Sequence, residues 1–505
     1  MSENLKKLYQ KAQSEKSMII GRYTEIARHT LPYTEINAQN EKSVSKKQDD
    51  IDATILQSHQ ELNNFIMSTM LGGGEYADVE FDREVFDEIV DEIPAIQRNE
   101  YEELTELLQN DSKKIFKLMA NSNYNVTVTK SMSECINLGT GCIKLIERDS
   151  ITEPFLMNFV PVNELFFTED SFGRPNYVFR KYADIEKEKI EELFGVDVSS
   201  MSKKMTLIES CIRNFDGTYT HRLTRESFDT SFHEEKLSYN PFIIFRWNTS
   251  HSNSYGLGIG FELIDEFSRL KRYKELERRS AEQFVDKPMV FYGNIEYMHK
   301  MNFGIGKMSY GGESPQDASV NPMGLGTEVI PISEQIAKSE SIIRESYISR
   351  PIGNYVDKSN VTATEIQTRM SLFRERFSGT YELLSDELLK ASFITIFRMM
   401  AERGLLTFPF EYIDFIHLKY TNQASKSANL EEAQRLVQAK QIVDTMYPET
   451  RLLNMEIIST IPYIFNLLDV NKTLFPDEDA LGEKLNNLMD ATQQPQQPIE
   501  GEMTP

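Results

Sequence analysis

Ile366, Met370, Phe373, Phe377, Tyr381, Leu384, Leu388, Ala391 and Ile394 follow one another at steps of three or four. That period lays one apolar stripe along a single helix reaching about Arg403, a rod of roughly 60 Å at 1.5 Å per residue. Its start is strongly specified. Within DKSNVTATEIQTRM, residues 357–370, Thr362 stands as N-cap with Glu365 three residues on, a capping box, while Val361 and Ile366 occupy the positions of a hydrophobic staple. Arg369, Arg374, Arg376, Glu382, Asp386 and Lys390 cover the other faces, and Ser378-Gly379 is the expected place for a bend. The plain reading is a structural strut around which the rest of the chain must be arranged.

Two further helices precede that rod. SYGLGIGFELIDEFSRLKRYKELERRSAEQFVDKP, 254–288, reads as one long helix stopped by Pro288, and a shorter helix spans about 335–348. Between them, residues 289–333 are rich in Gly, Met, Asn and Pro, too long for a turn and therefore an inserted module or functional loop. In the first helix, RLKRYKELERR carries six basic residues against two acids, with Lys271, Lys274 and Arg278 on one stripe. A solvated or intersubunit salt-bridged face explains it before a nucleic-acid contact does.

The opening is helical: residues up to Pro32, with Leu5, Leu8, Ala12, Ile19, Tyr23, Ile26 and Ala27 on one face, then IDATILQSHQELNNFIMSTML, then 95–120. From 124 the texture changes. A short helix over 126–138 gives way to GCIKLIE, FLMNFVPV, NYVFRKY, KMTLIESCIRN and PFIIFRWN, short runs that predict strands, with DIEKEKIEELFG as a helix closed by Gly195. The fold class is therefore α+β, mainly helical. After 404, LLTFPFEYIDFIHLKY reads as strands, 427–490 as helices, and the last fifteen residues as a disordered tail.

A net charge of −23 argues against a protein that grips nucleic acid, because tight binding neutralises many phosphates with cations. Residues 78–111 alone hold thirteen acids against two arginines, a pattern that predicts a solvated helical face. Cys135, Cys142 and Cys211 are too few and too scattered for a disulfide framework and read as small core residues in a reducing compartment. The histidines at 29, 59, 221, 233, 251, 299 and 417 show no metal spacing, so no metal and no cofactor is expected. No run of eighteen apolar residues occurs, and MSENLKKLYQKAQSEK is charged where a signal peptide is greasy, which predicts neither secretion nor a membrane.

GLGIG, Gly256–Gly260, follows a predicted strand and opens a helix, the position of a phosphate-binding turn. It departs from that motif in three ways. It reads GxGxG, seven residues separate it from PFIIFRWN, and no Lys-Ser/Thr follows. A nucleotide-binding enzyme using this turn stands as the alternative function, and no other catalytic constellation is present.

Five stretches in order carry a family resemblance: IGRYTEIARHTLPY, LNNFIMSTML, NSNYNVTVTKSMSECINLGTGCIKLIE, PFIIFRW with NSYGLGIGFELIDEFSRLKRYKE, and NVTATEIQTRMSLFRERFSGTYELLSDELLK. Across about 15–400 the chain resembles the portal, or head-to-tail connector, proteins of short-tailed podoviruses. The resemblance implies a wing over 1–254, a first stem helix over 255–287, a clip over 288–333, a second stem helix over 334–349, a tunnel loop over 350–360, the long wing helix over 361–403, a crown over 404–490 and a tail over 491–505. It implies a non-enzymatic homo-oligomer, typically a dodecamer, in the virion, assembled in the host cytoplasm. Its partners would be double-stranded DNA, the terminase large subunit, scaffold and major capsid protein, and tail adaptor or nozzle proteins. Arg350, Asn354, Tyr355 and Lys358 are then the DNA-facing candidates of the loop, and Thr362 and Glu365 the cap that anchors it. Another virion structural protein is the remaining alternative.

Overall fold

The structure is a computed structural model that describes residues 2–31, 52–71, 76–81, 100–195, 204–285, 289–292, 308–312, 319–322, 330–348 and 376–420, with single helical positions between 435 and 441. The chain divides into two compact units, residues 1–67 with 79–418, and residues 68–78 with 419–505. The helices expected over 427–490 and the tail lie outside the described residues, apart from those single positions.

Helix α1 (Ser2–Thr30), α2 (Ala53–Leu71), strand β1 (Ala77–Phe81), α3 (Glu100–Asn121) and α4 (Tyr124–Leu138) form the opening. Then come β2 (Thr140–Glu147), β3 (Phe155–Phe159), β4 (Leu165–Thr168), β5 (Tyr177–Glu186), α5 (Lys187–Phe194), β6 (Lys204–Arg213), β7 (Tyr219–Arg225), β8 (Ser231–Leu237) and β9 (Phe242–Arg246). The strands make two antiparallel sheets, one of three in the order β3-β2-β9 and one of five in the order β4-β5-β6-β7-β8. β4, β7 and β8 were not legible: LFFT is only four residues long, and YTHRLTR and SFHEEKL set a few apolar side chains among charged and polar ones, so only pairing identifies them.

α1 lies along both sheets. Leu5, Tyr9 and Ala12 pack against Phe179, Ile208 and Phe228, while Ile19, Tyr23 and Ile26 join Cys142, Val178, Cys211, Ile244 and Ile264 in one core. All three cysteines are buried and free, as small core residues. Asp111, in contrast, corrects the view of the acidic run as merely solvated. It is buried, and its Oδ2 accepts hydrogen bonds from the backbone of Thr407 (2.7 Å) and Phe408 (2.8 Å). Residues 82–99 of that run are outside the described ones.

α6 (Ile259–Val285) and α7 (Ile330–Ser346) bracket a three-stranded insertion, β10 (Met289–Tyr292), β11 (Met308–Gly312) and β12 (Ser319–Pro322), in the order β11-β10-β12. A helix running from 376 through a π-helical turn (Ser385–Lys390) into α8 (Ala391–Glu402) ends at Gly404, whose φ of 66° puts it in the left-handed region. A 3-10 turn (Phe410–Phe415) and a strand, β13 (Ile416–Tyr420), follow. Part of the stretch read as strands after 404, Phe410–Phe415, is thus a tight helical turn entered through Pro409.

Among the described residues, the long helix departs from its predicted pattern at one place. The irregularity is the π turn, not Ser378-Gly379, where an added Cβ would meet nothing. A π turn puts an extra residue into one turn. Beyond it the buried face runs through Leu389, Phe393, Ile396 and Met400, leaving the predicted Ala391 and Ile394 half-buried. Among the described residues no helix is long and apolar enough to cross a membrane.

Candidate functional site

The last turn of α4 holds both helices that flank the insertion. Gly139 caps α4 with φ 101°, a conformation that L side chains rarely adopt. Its carbonyl accepts from the Trp247 amide at 2.9 Å. The GLGIG segment lies flat on this turn. A Cβ on Gly256 would stand 2.0 Å from the Gly139 oxygen, one on Gly258 2.5 Å from the Asn137 oxygen, and one on Gly260 2.6 Å from that same oxygen. α6 therefore starts at Ile259, five residues later than its periodicity suggests, because the entry segment is shaped by contact with α4. Backbone fills the space in which a phosphate would have to sit. GLGIG is a packing motif, which removes the basis for the nucleotide reading.

A closed set of hydrogen bonds locks the contact. The Tyr23 hydroxyl donates to the Gly256 carbonyl at 2.8 Å and meets the Thr140 hydroxyl at 3.1 Å, and Thr140 accepts from the Gly256 amide at 2.9 Å. At the far end of α7, the buried Tyr347 hydroxyl donates to Asn137 Oδ1 at 2.6 Å. The start of α6 and the end of α7 thus share one anchor, residues 137–140. The two helices run antiparallel from it, joined by Ser339 donating to Glu266 at 3.1 Å. Lys274 bridges Asp52 at 2.8 Å and Glu340 at 2.7 Å.

The basic stripe on α6 is largely matched within the chain. Besides Lys274, Arg278 pairs with Glu282 at 3.2 Å, Arg279 with Glu275 at 2.6 Å and Arg269 with Glu266 at 2.6 Å. These are ordinary helical ion pairs within the chain on exposed ground, and they favour the solvated reading of that face over a nucleic-acid contact.

Behind the anchor, two buried titratable side chains hold residues 160–165. Lys16 donates to the carbonyls of Asn163 (2.5 Å) and Leu165 (2.9 Å), and Glu134 accepts from the Val162 amide at 2.9 Å. Burial pushes the Lys16 ammonium down to about 7 and the Glu134 carboxyl up to about 8.

The π turn is the long helix's attachment to the sheets. Glu387 accepts from the Arg246 amide at 2.9 Å and from its Nε at 3.1 Å, and Arg246 also reaches Glu169 and the Ser254 and Gly173 carbonyls at 3.2 and 3.1 Å. Trp247 meets Phe377 edge-on at 5.2 Å between ring centres. At the start of the described part of the helix, Arg376 donates to the Glu345 carbonyl of α7 at 2.8 Å.

Arg350, Asn354, Tyr355 and Lys358, with the cap residues Thr362 and Glu365, lie outside the described residues. Sequence reasoning missed Asn137, Thr140, Tyr347, Arg246 and Glu387. None has a motif, although the glycines at 256, 258 and 260 were a signal that something presses close.

Shared anchorage of two helices around an inserted module, braced by a long third helix, defines a structural scaffold. Residues 2–458 match the model of the family described as bacteriophage head to tail connecting protein, and the chain belongs to that family. No curated protein matches it. Among solved structures it is similar to a chain in the neck of an empty GTA particle computed with C6 symmetry, with 11% identity and TM-score 0.39 over 80% of this chain and 90% of the other. It is also similar to one in the virion of a native gene transfer agent particle, with 11% identity and TM-score 0.37 over 86% and 98%.

Proposed function

We propose that the chain is the subunit of a portal, a closed ring at one vertex of a phage capsid through which double-stranded DNA enters and leaves. The observation that carries this reading is the antiparallel pair α6 and α7, rooted at one point, opening onto a small sheet and followed by a long helix, in a head-to-tail connecting protein. In that reading 1–254 build the wing, α6 and α7 the stem, the β10–β12 insertion the clip, 350–360 the tunnel loop, 361–403 the wing helix and 404–490 the crown. The terminase motor docks at the clip and supplies the energy, and tail adaptors take its place after filling. Scaffold and major capsid protein surround the ring during assembly, as in a podovirus.

Charge supports a conduit. Twelve copies at −23 each carry about −276 formal charges, and a lumen that neutralises few phosphates lets duplex DNA slide without adhering. Electron microscopy of the purified chain tests the proposal. End-on views should show closed rings with a central channel. A compact dimer, a flat lattice or a filament under conditions that also include scaffold protein would overturn it.

A further inference from the structure

We propose that the outer edge of the five-stranded sheet binds a borderline divalent transition ion of the zinc type, through His221, His233 and Glu235. Among the described residues, these three offer ligand atoms that all lie within 4.8 Å of one another. Strand register is what assembles them. His221 on β7 is the direct partner of Glu235 on β8, and His233 lies two residues before Glu235, so all three share one face of the hairpin. The His221 and His233 rings are 5.9 Å apart, and His233 Nε2 stands 3.4 Å from Glu235 Oε2.

The buried member is already oriented as a ligand would be. His221 Nε2 lies 2.6 Å from Oε1 of Glu209, a carboxylate with no exposed surface that also bonds Lys144 and accepts from the Tyr182 hydroxyl at 2.9 Å. In the neutral imidazole, a hydrogen bond donated from Nε2 to that carboxylate leaves Nδ1 as the nitrogen with the lone pair. This is the carboxylate–imidazole arrangement that fixes a metal-binding histidine. Two imidazoles and one carboxylate suit zinc, cobalt or nickel better than magnesium or calcium, and three protein ligands leave one position for water or a group from a second molecule. Bound there, the ion would join the outermost strand β8 to β7. The site does not depend on the ring assignment.

Cobalt titration of the full chain, followed by visible absorption and then zinc displacement, tests it. One cobalt per chain should give the intense bands of four-coordinate geometry, which zinc abolishes. His233→Ala and Glu235→Gln, both at the outer edge of the sheet, should keep the wild-type circular dichroism spectrum. Each should weaken cobalt binding by more than about tenfold, the loss expected even for outer-shell partners, while exposed His251→Ala changes nothing. Absence of the four-coordinate spectrum at stoichiometric cobalt, or its survival in both folded variants, would overturn the assignment and leave a plain hydrogen-bonded strand edge.

Discussion

Single residues decide where this fold is tolerant and where it is not, and two glycines make the contrast. At Gly258 an added methyl would meet the Asn137 backbone at 2.5 Å, and backbone inside a capped helix end cannot give way cheaply. Gly258→Ala should therefore lower the free energy of unfolding by about 1–3 kcal/mol or more, read as an earlier urea midpoint. Gly379→Ala, with nothing within 4 Å, should be neutral or stabilising by about 1 kcal/mol. Glu134 makes a prediction about pH. The folded chain holds a proton there up to about pH 8 while the unfolded chain has lost it, so stability falls as pH rises. Between about pH 5 and 7, below the range in which Lys16 acts with opposite sign, the slope is at most about 1.4 kcal/mol per pH unit. Glu134→Gln should remove that part of the slope, and parallel urea curves for wild type and variant across this range would contradict the assignment.

Elements are placed by a few polar contacts at their ends. Tyr347 ties the end of α7 to Asn137 in a buried bond. Tyr347→Phe leaves that Asn137 oxygen without this donor, at a cost of about 1–3 kcal/mol. Amide exchange should quicken over the last turns of α7 and stay unchanged in α1; uniform change along both helices would mean that Tyr347 does not act as a local anchor. Helices were largely legible because the 3.6-residue period survives any packing partner. α1, α2, α4 and α5 begin and end within a few residues of their predicted bounds, and Gly139 and Gly195 close the last two in left-handed geometry. The π turn was not legible, because Glu387 is one acid among many until the fold brings Arg246 to it.

At the scale of the molecule, the acidic balance and the helix–insertion–helix plan bear on the proposed passage of DNA. Lys358 belongs to the proposed tunnel loop. Lys358→Ala should change packaging or retention of DNA, measured as packaged length in assembled particles, while rings remain intact by electron microscopy. Loss of rings would instead assign Lys358 to subunit contacts.

Periodicity, capping and breaker residues in the sequence by themselves determined the mixed α+β class, the order of most elements and the plan of two helices around an insertion, because those signals are local. Tertiary structure alone decided that GLGIG is a packing surface, that Asn137–Thr140 anchors both helices, that Asp111 is a buried bracket and that His221, His233 and Glu235 meet. Each of these joins residues far apart in the chain or on facing strands. Their proximity follows from register and from the close packing of one element on another, which no spacing along the sequence records.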